Sequence, residues 1–408
     1  MKTCLVRGLI LLGVVLAAGM IALFALSPLD REYALRIVRW GVSDVKDYQR
    51  FPERVIEKPA QADLLPVDLH PEWFTTIQYT AGGKTYQSSV DDLMTKIRTQ
   101  ALIVIQDDQV VYEKYYNGYQ RDSIVTSFSS AKSFNSALIG IAIDEGLIGS
   151  VNDPILRYLP ELAGRGRDEM TLRDLLMMSS GIRYVEDEHL FPLLGAPFSD
   201  DAKSYYYPDL RGLALDVVRH GDEPIGANMH YNNYHPILEG MILERVTGMT
   251  VAKYLETRIW QKVGAEYPAS WSLDSQATGF EKMESGINAR AMDFARLGLL
   301  FLREGNWQGE QVISPAWVKE SSPPDPNDQR AWRYWPEYRE GGGYYKYHWW
   351  GNVRADGHYD YTAAGNFGQY IYVCQQKNLV IVRYGENDEP VDSFRDVLYA
   401  LEQMVPQD

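Results

Sequence analysis

The chain is poor in the residues that build metal and disulfide frameworks. It has two cysteines in 408 residues, Cys4 and Cys374, far apart and too few for a zinc or iron–sulfur site. Its seven histidines include no His-Glu-x-x-His. His230 and His235 stand five apart, a spacing that shares no helix face, so no metal centre is expected. His189 and His358 are expected as surface or strand residues. Positive charge is also scarce. Against 55 acidic side chains there are 40 basic ones, a balance of −15. A field of that sign repels phosphate backbones and argues against nucleic acid as a partner. There is no Gly-x-Ser-x-Gly, so the strand–turn–helix serine elbow is excluded. No internal repeat and no low-complexity tract is present. What remains is ordinary globular composition, 45% apolar and 23% charged. The 28 Tyr and 10 Trp exceed what a core needs and hint at an aromatic-lined cleft.

One long apolar run is present. Gly8 to Leu26 is uninterrupted, follows Lys2 and Arg7, and at about 1.5 Å per residue covers the ~30 Å hydrocarbon core of a bilayer. Residues 1–28 are therefore expected as a membrane anchor, with the rest of the chain on the extracytoplasmic side of an inner membrane. A signal peptide cut near Ala25-Leu26-Ser27, giving a secreted protein, is the alternative. Residues 29–70 are expected as a charged, proline-containing stalk. Within it Arg31–Trp40 has the pattern of an interfacial amphipathic helix stopped by Gly41.

Residues 71–404 are expected as one globular unit. Ala101 to Tyr119 reads as two β-runs around a polar turn, and Ser129 to Glu145 as a helix with Phe134, Leu138, Ile139 and Ile141 at helical spacing. Thr171-Leu-Arg-Asp174 is a capping box opening a helix that is expected to end at Ser180-Gly181. The acid-rich stretch with Glu186, Asp187, Glu188, Asp200 and Asp201 reads as a long solvated excursion, or else as the holder of a cationic substrate end. Helices are expected at 236–247, 250–262, 289–304, 315–320 and 391–404. Strands are expected at 359–364, 369–375 and 379–384. The aromatics of 332–350 are expected to serve packing and a cleft rim. Strands at both ends with helices between them predict an α+β fold, its sheet part at 71–128 and 345–404 and its helical part at 129–344.

Ser129-Ser130-Ala131-Lys132 opens an apolar helix, so Ser129 and Lys132 share one face three residues apart. A serine hydroxyl is a poor nucleophile until a base takes its proton. A lysine takes it only when uncharged, a form favoured by burial and by the positive end of a helix. The backbone N–H of Ser129 can help to hold an oxyanion there. Taken alone, the same four residues also fit an N-capping serine and a surface lysine. Tyr231-Asn232-Asn233 precedes an apolar helix. Gly365-Asn366-Phe367-Gly368-Gln369 starts an apolar strand, with glycines that let backbone approach a substrate closely.

Four segments in this order and spacing resemble the serine β-lactamase-related hydrolases: Ser129 to Lys132; Thr171-Leu-Arg-Asp-Leu-Leu-Met-Met-Ser-Ser-Gly181; Tyr231-x-Asn233; and Gly286-Ile-Asn-Ala-Arg-Ala-Met-Asp-Phe-Ala-Arg-Leu-Gly298. The branch they resemble holds the class C β-lactamases, esterases of that fold and 6-aminohexanoate-oligomer hydrolases. The resemblance implies a β-lactamase/transpeptidase-like fold, an antiparallel sheet built from N- and C-terminal segments with an inserted helical domain. It implies Ser129 as nucleophile, Lys132 as its proton acceptor and Tyr231 as second acid/base, its phenolic oxygen held by the lysine. It implies Asn233 as a group orienting substrate or Lys132, and Gly365 and Asn366 as the strand start that supplies the second oxyanion N–H. No cofactor is implied. β-Lactamases carry Lys-Thr-Gly or a relative on that strand, whereas here Ala363-Ala364-Gly365 stands there. Without that cation a substrate carboxylate loses a charge-assisted hydrogen bond of about 1.5–3 kcal/mol. The expectation is a serine hydrolase of small amides or esters. A β-lactamase or D,D-peptidase, and a non-catalytic binding or sensor domain of the same fold, are the alternatives.

Overall fold

The computed structural model describes residues 27–406 except 165, 187–198, 220, 222, 333–334 and 388. The apolar run at Gly8–Leu26 lies outside the described residues, as do Cys4, Asp187, Glu188 and His189. No helix among the described residues is long and apolar enough to cross a membrane.

In chain order, the strands that position the site are β1 (Glu53–Ile56), β2 (Thr99–Gln106), β3 (Gln109–Tyr115), β4 (Val125–Thr126), β5 (Ala269–Ser272), β6 (Ile287–Ala289), β7 (Gly343–Lys346), β8 (Trp349–Val353), β9 (Tyr359–Gly365), β10 (Gln369–Cys374) and β11 (Leu379–Gly385). The helices that pack around the site and its sheets include α1 (Pro28–Trp40), α2 (Ala131–Asp144), α3 (Leu172–Leu176), α4 (Asp200–Tyr206), α5 (Tyr234–Thr247), α6 (Ala291–Leu302) and α7 (Phe394–Met404). Seven strands form an antiparallel sheet in the order β7-β8-β9-β10-β11-β2-β3, so the late part of the chain pairs with an early hairpin through β11 and β2. Side chains alternate across it as the pleat requires. Ala101, Ile103 and Ile105 of β2 and Val380 and Val382 of β11 join the large core under α2 and α6. Leu102, Val104, Leu379 and Ile381 face the second core, closed by Val397, Leu398 and Leu401 of α7. Helices on both faces explain why these strands are apolar almost throughout.

Helix α2 is buried at every position from Ala131 to Ala142. An apolar helix of that kind belongs inside a domain, and its N-terminus is the only end exposed to the cleft. α3 starts with the expected capping box, Thr171 N donating to Asp174 Oδ2 at 2.8 Å. It ends at Leu176 rather than at Gly181. Met178 turns left-handed (φ 54°) and its carbonyl accepts His230 N, which carries the chain away toward the 226–230 segment. Cys374 sits in β10 as expected; burial pushes its thiol up to about 12, which keeps it protonated.

The structure corrects the expectation for residues 29–70. They do not project as a stalk. Arg36 of α1 is buried and donates to the carbonyls of Tyr206 (3.0 Å) and Asp274 (2.6 Å). β1 is the edge of a second, four-stranded sheet, β1-β5-β6-β4. The last strand of that sheet runs directly into Ser129.

Candidate active site

β4 delivers the chain to the site. Ser127 is tied to the 285–287 segment by three hydrogen bonds: its N–H to Ile287 O (2.8 Å), its hydroxyl to Ser285 O (3.0 Å), and Ile287 N to its Oγ (3.1 Å). Phe128 then adopts φ 43°, a conformation that costs a bulky residue about 1–3 kcal/mol. The surroundings hold it there. Its ring lies 4.9 Å from that of Phe367 and stacks on Tyr205 at 6.3 Å. The turn sets Ser129 at the start of α2, half-buried and facing a cleft of about 670 Å³.

Lys132, one turn on, is 1% exposed. Its Nζ is 2.8 Å from Ser129 Oγ and donates to Glu284 O at 3.0 Å. It lies over the ring of Tyr231, 4.8 Å from the centroid. The expected contact of Lys132 with the phenolic oxygen is not what the structure shows: Nζ sits over the ring face instead. Beneath it, Lys282 and Glu284 form an ion pair of 2.7 Å with both side chains 2% exposed. Burial lowers the Lys282 ammonium from its ordinary value, and the Glu284 carboxylate opposes that shift.

The opposite lip is the end of β9. A Cβ on Gly365 would lie 2.5 Å from Ser127 O and 2.9 Å from Ser129 N, so only glycine lets the strand come this close to the nucleophile. Asn366 and Phe367 follow in the cleft wall. The turn is fixed from behind: buried Arg383 donates to Phe367 O (2.9 Å) and Gly368 O (2.8 Å), and Gln369 Nε2 donates to Asn366 O (3.0 Å). Ser129, Gly365 and Asn366 therefore line the same cleft.

The outer wall is aromatic. Tyr231, Trp335, Tyr338 and Trp350 line the cleft. Tyr231 meets Trp350 at 5.6 Å, Tyr345 at 6.0 Å and Trp335 at 6.1 Å. Behind them Tyr345, whose hydroxyl burial holds protonated, donates to His348 Nδ1 (2.9 Å). His348 Nε2–H donates to Glu239 Oε2 at 2.8 Å, which also accepts Asn135 Nδ2. These buried partners anchor the wall to α2 and α5.

Of the residues singled out from sequence, Ser129, Lys132, Tyr231, Gly365 and Asn366 come together here. Asn233 does not. It stands just before α5 without a side-chain capping bond, its amide donating to Tyr184 Oη (2.8 Å) and Ser204 Oγ (3.2 Å). Asp200 and Asp201 are not solvated as expected. They accept the hydroxyls of Tyr234 (2.8 Å) and Tyr184 (2.6 Å) and help to build the same support. Four contributors went unnoticed. Lys282-x-Glu284, just ahead of the Gly286 motif, was one signal; a lone Arg383 in an apolar strand was another. Arg395, at the start of α7, lines the cleft with its Nη1 on Asn352 Oδ1 (2.9 Å) and its guanidinium 5.1 Å from the Tyr338 centroid. The strand lacks a cation, as expected, but the cleft does not.

A family model described as Beta-lactamase matches residues 87–403. The chain is 29% identical over 303 residues to the 6-aminohexanoate-dimer hydrolase of Paenarthrobacter ureafaciens, covering 72% of this chain and 74% of that protein. A Bacillus anthracis structure provisionally assigned as a 6-aminohexanoate-dimer hydrolase superposes with TM-score 0.74 at 22% identity, covering 91% of this chain and 95% of that one. A D-stereospecific amidohydrolase from Streptomyces sp. superposes with TM-score 0.57 at 16% identity, over 78% and 98%.

Proposed function

The chain belongs to the beta-lactamase family and is a serine hydrolase, and from that premise we propose that it cleaves small linear amides or esters through an acyl-enzyme on Ser129. The observation that carries this reading is the Lys132 Nζ–Ser129 Oγ distance of 2.8 Å at the floor of an aromatic cleft. Uncharged Lys132 takes the hydroxyl proton as Oγ attacks the carbonyl carbon. The negative oxygen that forms is held by the N–H groups of Ser129 and Asn366, fixed donors that need no reorganisation. Tyr231 passes a proton to the departing amine or alcohol, and the Lys132 ammonium on its ring face favours the phenolate formed in that step. Water then attacks the acyl carbon by the same path reversed, releasing acid and free Ser129. No step requires a cofactor. Similarity to a 6-aminohexanoate-dimer hydrolase supports a linear amide as substrate.

Arg395 favours a second reading. A cation in the cleft suits a substrate that ends in a carboxylate, including a cephalosporin or a D-alanyl peptide. A panel of p-nitrophenyl esters, a linear aminohexanoate amide and a cephalosporin, with Ser129→Ala as control, separates the two. Turnover of the first two classes alone supports the leading reading, and preferential cephalosporin turnover supports the second. We further propose that Gly8–Leu26 anchors the enzyme with its cleft on the extracytoplasmic side. Full-length protein recovered from the soluble fraction after lysis contradicts that anchor.

A further inference from the structure

The segment ahead of residue 57 reaches the reacting groups through one buried cation. Lys282 Nζ lies in the corner made by two perpendicular rings, 4.6 Å from the centroid of Phe51 and 4.0 Å from that of Tyr205. It donates to Tyr205 O and to Glu284 Oε1. The main chain of that glutamate accepts Lys132 Nζ, so the cage around Lys282 also fixes the second hydrogen bond of the catalytic lysine. The amino-terminal segment supplies much of the cage. Phe51 is one wall, 6% exposed and packed on Trp40 at 5.0 Å. The other wall, Tyr205, is held by its hydroxyl on Asp47 Oδ2 (2.8 Å) and by the Phe51 edge at 5.8 Å. Its far face stacks on Phe128, the residue before the nucleophile. Residues 47 and 51 both precede the range that the family model matches, 87–403. The support of the site is thus completed by residues that lie ahead of the matched range.

We propose that Phe51 is a positioning residue for the acylation step: its ring, set at right angles to that of Tyr205, holds the Lys282 ammonium so that Glu284 keeps its carbonyl on Lys132. This rests on reading Ser129 and Lys132 as the acylating pair. A buried ammonium needs every partner it has, because no water replaces a lost one. With the Phe51 ring removed, Lys282 and Glu284 shift, Lys132 keeps one fixed partner instead of two, and its amine leaves the geometry proton transfer requires.

The test uses Phe51→Leu, which keeps apolar volume but has no ring face, and Phe51→Tyr, which keeps the ring. Three quantities are read on the full chain: the rate of fluorophosphonate labelling at Ser129, kcat and KM on a hydrolysed ester, and Tm. Phe51→Leu is expected to lower labelling and kcat at least about tenfold with KM changed less than about twofold, while Phe51→Tyr stays within about twofold of wild type. Arg54→Gln, which loosens the same segment from Glu281 without touching Lys282, is expected to lower Tm and leave labelling unchanged. Should Phe51→Leu not fold, Tyr205→Leu makes the same test from the other ring. Folded Phe51→Leu that labels at the wild-type rate overturns the proposal, and so does Arg54→Gln slowing the reaction as much. Folded wild-type protein that takes no label at Ser129 overturns the acyl-enzyme reading itself and this role with it.

Discussion

The two sides of the cleft are built differently. The floor is polar and almost fully bonded: Lys132 on Ser129 and Glu284, Lys282 on Glu284, Arg383 on the Phe367 and Gly368 carbonyls. The outer wall is a set of rings, Tyr231, Trp335, Tyr338 and Trp350, that meet mostly edge to face, with Tyr231 tilted on Trp350, and present few polar atoms. Directional bonds fix atoms to within tenths of an ångström, which bond-making needs. Ring contacts are weaker and tolerate different occupants, which substrate choice needs. The floor therefore governs rate, and the wall governs which molecule is held.

Changes in the floor are expected to break rate with little change in KM. The largest effect belongs to Lys132→Ala, which removes the proton acceptor and is expected to lower kcat about 10³-fold or more on any hydrolysed ester. Gly365→Ala comes next. Its Cβ has no room beside Ser127 O and Ser129 N, so the strand must retreat and the oxyanion donors separate; a loss of about 10²–10³ in kcat is expected. Tyr231 belongs to both sides, and Tyr231→Phe sharpens the comparison. With the ring kept and the hydroxyl gone, kcat is expected to fall about 10²-fold while KM moves little, more steeply for amides than for p-nitrophenyl esters, whose leaving group needs no proton. Trp335→Ala tests the wall alone. This exposed ring packs against Tyr231 and Trp350, and its loss is expected to raise KM several-fold, up to about tenfold, with kcat within about twofold.

The smallest effect lies beneath the wall and is one of stability. Burial, with the nearby His348, His230 and Lys132 adding to it, holds the His235 imidazole well below its ordinary value, so the native protein keeps it neutral. The unfolded chain takes up that proton near pH ~6.5. Below this point the unfolded state binds more protons than the native one, so the His235 share of stability is present above it and lost as pH falls. Wild type is expected to lose more Tm than His235→Gln between about pH 7.5 and 5. Parallel curves contradict the assignment.

The sheet and the nucleophile helix were legible in the chain because their signals are local. β9, β10 and β11 are runs of apolar and β-branched residues between turn signals, and α2 repeats apolar residues at helical spacing. Ser129, Lys132, Tyr231, Gly365 and Asn366 could be gathered because each sits at a break between such elements. Residues 29–70 could not be read this way. They are denser in charge than the rest of the chain, and the partners that fold them are distant: Arg36 on Asp274 O, Ile56 paired with Ala269. Composition says stalk where long-range register says sheet edge. Asn233 failed for a similar reason. A residue before a helix can turn its amide inward or outward, and Tyr184 with Ser204 decides it. Arg395 was hidden in an ordinary amphipathic helix start, where charge at the first turn reads as solvated surface.

The most direct measurement is the identity of the acylated residue. Protein quenched within the first turnovers of a p-nitrophenyl ester, digested and mapped by mass spectrometry, is expected to carry the acyl mass on Ser129, with none on that peptide in Ser129→Ala. Folded wild-type protein that hydrolyses the ester while the acyl group is found on another residue, or with hydrolysis undiminished in Ser129→Ala, contradicts the account.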